Sequence, residues 1–154
     1  MRLTLAAVGR LRQGPEAALV ADYLVRFART GRPLGLPTVT VTEVEARAGG
    51  MAEEARLLSR AIPDGSVLAL LDERGAQLTS PEFAARLAAW RDCGRDAAFA
   101  IGGADGLDPA LRDRADLAIS FGRMVWPHLL ARVMLAEQLY RAATILGGGP
   151  YHRA

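Results

Sequence analysis

Five short runs of apolar or β-branched residues, separated by stretches of helical periodicity, constrain this chain more than any other feature. Leu3 to Val8, Thr38 to Val44, Ser66 to Leu71, Ala97 to Ile101 and Leu117 to Ser120 read as strands. Pro15 to Arg29 places Ala18, Leu19, Asp22, Tyr23, Arg26 and Phe27 at helical spacing, and Ala52 to Ala61 is also helical. Thr79-Ser80-Pro81-Glu82 supplies an N-cap and a first-turn proline for a helix through Arg91. Asp108-Pro109 opens a short helix, and His128 to Leu146 is the last and longest. Gly31 to Pro37, Pro63-Asp64-Gly65, Asp72 to Gly75 and Asp92-Cys93-Gly94 read as loops and turns. Strands alternating with helices predict an α/β fold, with a mostly parallel sheet and helices on both faces. No repeat or linker divides the 154 residues, so a single domain over 1–154 is expected.

Composition narrows the function classes. At 51% hydrophobic and 23% charged residues the chain is not a disordered one. No apolar run approaches the roughly 18 residues of a membrane span, and Met1 to Val8 reads as a strand rather than a signal peptide. A lone cysteine, Cys93, rules out an internal disulfide framework and fits a cytoplasmic protein. With two histidines and one cysteine, no metal site is expected. Net charge is +2, too small for coating nucleic acid by charge alone. All 19 basic residues are arginine, and without lysine no Walker phosphate loop exists.

In parallel sheets, ligands bind beyond the carboxyl ends of the strands. Three loops qualify: Asp72 to Gly75, Gly102 to Gly106 and Phe121 to Pro127. Gly102-Gly103-Ala104-Asp105-Gly106 leaves its strand without side-chain bulk, so a ligand could reach the backbone. The final helix is apolar on one face through Leu129, Val133, Leu135, Ala136, Leu139, Tyr140, Ala143 and Leu146, yet Arg132 falls in its middle. A guanidinium there needs a carboxylate, a carbonyl cluster, a partner chain or a ligand. Leu130, Met134 and Ile145 make the opposite side apolar too, which points to a second subunit and a two-fold dimer. Both histidines, His128 and His152, lie in the last third. His152 stands between Tyr151 and Arg153, a set suited to gripping a flipped or single-stranded base. Glu137 and Arg141 are spaced for a helix ion pair, and Arg141 is alternatively a phosphate or base contact.

Phe121-Gly122-Arg123-Met124-Val125-Trp126-Pro127-His128, Arg132-Val133, Ala136-Glu137-Gln138-Leu139-Tyr140-Arg141-Ala142 and Pro150-Tyr151-His152-Arg153 together resemble the RlmH family. These are bacterial ribosomal RNA methyltransferases of the SPOUT superfamily. Leu71-Asp72-Glu73-Arg74-Gly75, Leu78-Thr79-Ser80 with Phe83, and Ile101-Gly102-Gly103-Ala104-Asp105-Gly106-Leu107 extend the resemblance over the whole chain. It implies a trefoil-knotted C-terminal region and S-adenosyl-L-methionine as cofactor, held by Leu71, Gly102, Gly103, Phe121, Gly122, Arg123, Met124, Val125 and Trp126. It also implies a cytoplasmic homodimer that acts on 23S ribosomal RNA in the assembled ribosome, with no membrane and no DNA as partner. The substrate would be a pseudouridine in helix 69, at the 1915 position, methylated on N3. His128, Arg141, Tyr151, His152 and Arg153 would position the base or handle its proton, the tail of one subunit completing the site of the other. The alternatives are a SPOUT methyltransferase for another RNA and a non-catalytic ribosome-binding factor. Gly122 stands where a serine is usual, Val125 where threonine is common, Leu129 where glutamine is common, and Ala76 where lysine is frequent.

Overall fold

In the computed structural model, residues 1–153 are described. Five strands, β1 (Leu3–Val8), β2 (Val39–Val44), β3 (Val67–Ala76), β4 (Ala97–Ile101) and β5 (Leu117–Ile119), form one parallel sheet in the order β2-β1-β4-β3-β5. Side chains alternate across a strand, so each buried strand feeds two cores. Leu3, Leu5 and Ala7 of β1, Val67 and Ala69 of β3, and Ala97, Phe99 and Ile101 of β4 share one core with helices α1 (Pro15–Gly31), α3 (Ser80–Asp92) and α5 (His128–Leu146). Ala6 and Val8, Leu68 and Leu70, and Ala98 and Ala100 face the other way, onto Leu58 of α2 (Gly50–Ala61) and Leu111 of α4 (Pro109–Asp113). The expected α/β architecture, with helices on both faces, is what the chain adopts. No helix among the described residues is long and apolar enough to cross a membrane.

Two segments depart from the sequence reading. Gly31 to Pro37 is not wholly irregular, because Arg32–Leu34 forms a short 3-10 turn. More consequential is Asp72 to Gly75, which is not a loop but the second half of β3. Pairing with β4 ends at Leu71, opposite Ile101, whereas β3 runs on and pairs Ala76 with Ile119 of β5 after a register shift. The Ser120 N–H donates to the Ala76 carbonyl at 2.9 Å, closing that crossing. These residues are polar because the strand has left the sheet interior, and polarity concealed the strand. Gly75 makes the crossing possible: an added Cβ would lie 2.5 Å from the Ala118 carbonyl carbon and 2.6 Å from its oxygen.

Helix α5 packs against α1 on one side and α3 on the other, above the sheet centre. That arrangement accounts for part of the second apolar side. Ile145 packs on the first core of the same subunit, whereas Met134 lines a hollow between α3 and α5. Of the three residues that pointed to another subunit, Leu130 remains exposed, at 40%.

Helix α3 opens on a reciprocal cap. The Glu82 N–H donates to the Thr79 hydroxyl at 3.3 Å, while the Thr79 N–H donates to the Glu82 carboxylate at 2.7 Å. The backbone donation holds the Glu82 carboxyl below its ordinary value. The cap therefore contributes fully above the ordinary glutamate pKa of about 4.3 and fades as pH falls through the lower folded value. Thr79→Ala should cost about 1 kcal/mol at neutral pH, read as a lowered midpoint in thermal or urea unfolding. The gap between variant and parent should narrow in acid. Gly75→Ala should destabilise far more than an exposed glycine substitution such as Gly14→Ala, measured in the same melts.

Candidate functional site

The carboxyl ends of β3, β4 and β5 enclose a cleft of about 370 Å³, within the range of small-molecule sites. Leu71, Gly102, Gly103, Phe121, Gly122, Met124, Val125 and Trp126 line it, as does His128 at the start of α5. Of the expected cofactor residues, Arg123 alone does not line the cleft; it is exposed on the same loop. Gly102 faces backbone closely here, and Gly103 faces the Glu54 and Val8 side chains. An added Cβ at Gly102 would lie 2.7 Å from the Gly106 carbonyl oxygen, and one at Gly103 would lie 2.9 Å from a Glu54 carboxylate oxygen. The loop is a closed turn in which the Gly106 N–H donates to the Gly103 carbonyl at 3.1 Å. Gly122, in place of the usual serine, sits at φ +130, where a glycine is favoured. Its N–H donates to the Ser120 hydroxyl at 3.1 Å, and that hydroxyl donates to the Gly122 carbonyl at 2.8 Å.

Among the charged lining residues, sequence reasoning missed Arg112. Asp72, only 6% exposed at its side chain, faces Arg112 of α4, whose Nε lies 2.5 Å from Oδ2. Asp72 was inside a segment singled out as a ligand loop, but Arg112 carries no motif and reaches the cleft through tertiary packing. The cleft wall holds Asp72, Glu73 and Asp105 against Arg74 and Arg112, so acidic groups outnumber the arginines there. Met124 and Val125, at 75% and 78% exposure, line the cleft together with exposed Trp126, and Leu130 is exposed in the first turn of α5.

Arg132 is fully buried, one helical turn beyond His128. Nη1 donates to Glu43 of β2 at 2.6 Å, and Nη2 donates to the carbonyls of Gly9 and Val8 at 2.9 and 3.3 Å. Glu43 also accepts from the Leu11 N–H at 2.6 Å. Of the partners open to it, the guanidinium takes a carboxylate and a carbonyl pair of its own chain, so its burial does not mark a subunit boundary.

The remaining expected site residues gather elsewhere. Tyr151 donates its hydroxyl to Glu137 at 2.9 Å, and Arg141 pairs with the same carboxylate at 2.5 Å. The Arg141 guanidinium covers the Tyr151 ring at 4.8 Å, and the Tyr140 ring stands 4.6 Å from it. Burial and the bond to Glu137 push the Tyr151 phenol well above its ordinary value, so it remains a donor. Arg141 Nη1 lies 3.4 Å from His152 Nδ1. Arg141 thus makes the helix pair, and through it organises the tail, while Arg153 is exposed. His128 and Arg141 are 13 residues apart on one helix, about 20 Å along its axis. The structure brings His128 to the cleft and sets Arg141, Tyr151 and His152 apart from it.

The sequence model of the family described as "Predicted SPOUT methyltransferase" matches residues 1–152. The Ribosomal RNA large subunit methyltransferase H of Paracoccus denitrificans (strain Pd 1222) is 72% identical over 154 residues, spanning 99% of both chains. Its counterpart from Cereibacter sphaeroides (strain ATCC 17025 / ATH 2.4.3) is 73% identical over 154 residues with the same coverage. Among solved structures, a methylase family protein from Haemophilus influenzae Rd KW20 superposes with a TM-score of 0.54 at 11% identity, covering 99% of this chain and 70% of that one. Another from Neisseria gonorrhoeae gives 0.51 at 14% identity, covering 90% and 81%. At such identities these two share the fold.

Glu43→Gln leaves the buried Arg132 without its counter-charge. Breaking a buried pair costs about 3 kcal/mol or more. In a chain of this size that lowers the melting temperature by roughly 6–12 °C. Scanning calorimetry checks this, and the doubly substituted Glu43→Gln/Arg132→Met should recover part of the loss.

Proposed function

The chain belongs to the SPOUT methyltransferase family, within its ribosomal RNA large subunit methyltransferase H members, and from that premise we propose that it methylates 23S ribosomal RNA with S-adenosyl-L-methionine. The observation that carries this reading is the glycine-walled, acidic cleft at the strand ends, in a chain over 70% identical end to end to two large-subunit methyltransferases. The cleft suits the cofactor on three counts. Its volume accepts a nucleoside-sized ligand, Gly102 and Gly103 can line it with backbone alone, and its acidic balance complements a ligand of net positive charge. Leu71, Gly102, Gly103, Phe121, Gly122, Met124, Val125 and Trp126 hold it. We read the Gly75 crossing of β3 and β5, and the return of the Phe121–Trp126 loop beside it, as parts of the trefoil knot.

The protein works as a homodimer in the cytoplasm. Its tail packs on Glu137 and Arg141, about 14 to 20 Å along α5 from His128, so a tail that serves the reaction serves the cleft of a second copy. The exposed apolar side chains of Met124, Val125, Trp126 and Leu130 are what such a copy covers. The substrate is the assembled ribosome, at the helix 69 pseudouridine N3 (the 1915 position). A net charge of +2 leaves recognition to shape and specific contacts as much as to phosphate attraction.

S-adenosyl-L-methionine supplies an electrophilic methyl group; the protein must orient the base and take its N3 proton. His128 lines the cleft and is the proton acceptor. His152, whose Nδ1 lies 3.4 Å from Arg141, is held in the tail cluster and positions the base. Tyr151 gives the stacking surface, and exposed Arg153 meets the developing negative charge or a nearby phosphate.

Incubating the protein with intact ribosomes, naked 23S RNA and labelled cofactor, then mapping the product by mass spectrometry, tests this reading. Label at a single pseudouridine N3 of intact ribosomes is expected. Label in a different RNA, or ribosome binding without transfer, would overturn it. His128→Ala should lower single-turnover transfer by about 10²-fold or more. Removal of Tyr151 to Ala154 should abolish transfer while leaving cofactor binding intact.

A further inference from the structure

Arg112 is the one cleft-lining residue of α4, and the family resemblance gives it no role. Its neighbours show what it is free to do. The contact with Asp72 is made edge-on through Nε, which is buried and poorly aligned for a hydrogen bond despite the 2.5 Å separation. Nη1 and Nη2 make no hydrogen bond among the described residues. The side chain retains 27% exposure, so this outer edge of the guanidinium is accessible while its inner edge is anchored. Nη2 approaches Gly106, where an added Cβ would lie 3.8 Å away, so the edge runs along the glycine turn that walls the cleft. Asp72 is oriented by its own partners: the Arg74 N–H donates to Oδ1 at 3.0 Å, and Oδ2 meets Arg112.

An anchored guanidinium with two free, parallel N–H groups is the geometry that binds a carboxylate in bidentate fashion. The wall is otherwise acidic, so Arg112 does not serve to attract a cation. The other arginine of the cleft, Arg74, is 67% exposed at its side chain and is a weaker anchor.

Resting on the cofactor reading above, we propose that Arg112 is the carboxylate receptor of this cleft: its Nη edge binds the α-carboxylate of the cofactor's amino-acid moiety, with Asp72 fixing the guanidinium from behind. No bond is made or broken in this step. Its consequence is selectivity for the complete amino-acid moiety over nucleosides that lack its carboxylate.

Calorimetric titration of the full chain tests the assignment with two probes, S-adenosyl-L-methionine and its decarboxylated analogue. Charge-assisted hydrogen bonds contribute about 1.5–3 kcal/mol, so Arg112→Gln should weaken the first ligand by about ten- to a hundredfold. Affinity for the decarboxylated analogue should change by less than about threefold. Asp72→Asn/Arg112→Gln removes both charges and guards against an effect of an unpaired Asp72; it should show the same contrast. Arg112→Lys, a point charge without the fork, should fall between parent and Arg112→Gln. An equal loss for both ligands would make Arg112 a structural residue and overturn the proposal, as would an unchanged affinity for S-adenosyl-L-methionine. Failure of the parent protein to bind S-adenosyl-L-methionine would overturn the cofactor reading itself, a different outcome from an insensitive Arg112.

Discussion

The buried guanidinium of Arg132 ties the longest helix to the sheet, and the placement of both functional clusters depends on it. Its Nη groups grip the carbonyls at the end of β1 and the carboxylate near the end of β2. A charge with no exposure tolerates few alternative partners, because moving the helix by even part of a turn would strand it. His128 therefore arrives at the strand ends with its ring near Gly9, where an added Cβ would stand 3.6 Å from Nε2. The far end of the same helix carries Glu137, Tyr140 and Arg141, onto which the tail folds. One internal ion pair thus sets the orientation of a helix whose first turn lines the cleft and whose far half carries the tail.

The acidic cleft and the cationic, aromatic tail divide the electrostatic work. Asp72, Glu73 and Asp105 surround a space suited to a positively charged nucleoside. The tail instead offers a phenol, an imidazole and an arginine, groups that meet a base or a phosphate. Glu137 is the hinge of the tail cluster: it accepts from Tyr151, Arg141 and Gln138, and Gln138 in turn accepts from Ser80 of α3. Tyr151 and His152 are consequently packed against the helix.

Most of the architecture was legible in the sequence because strands and helices alternate with clear periodicity. The gathering of the three segments at one cleft was legible for the same reason, since topology sends parallel strand ends to one edge. Asp72 to Gly75 was misread because polar residues in an extended strand look like a loop when its partner cannot be seen. Arg132 was recognised as needing a partner, but Glu43 lies 89 positions away, and no local pattern connects them. Arg112 was invisible for a related reason: its importance comes from facing Asp72 across a cleft, not from its neighbours in the chain. The spacing of Glu137 and Arg141 did announce their pair, because helix neighbours four apart meet by geometry alone.

The central claim is that cleft and tail cooperate between subunits rather than within one. It is tested by mixing two inactive proteins: a Gly102→Val variant, whose side chain would crowd the Gly106 carbonyl and close the cleft to cofactor, and a chain lacking Tyr151 to Ala154. After subunit exchange, half the dimers are mixed and each holds one intact cleft facing one intact tail. Transfer to ribosomes should then recover to about a quarter of the parent level. A mixture as inactive as its components, or a tail deletion that keeps full transfer, would contradict the account.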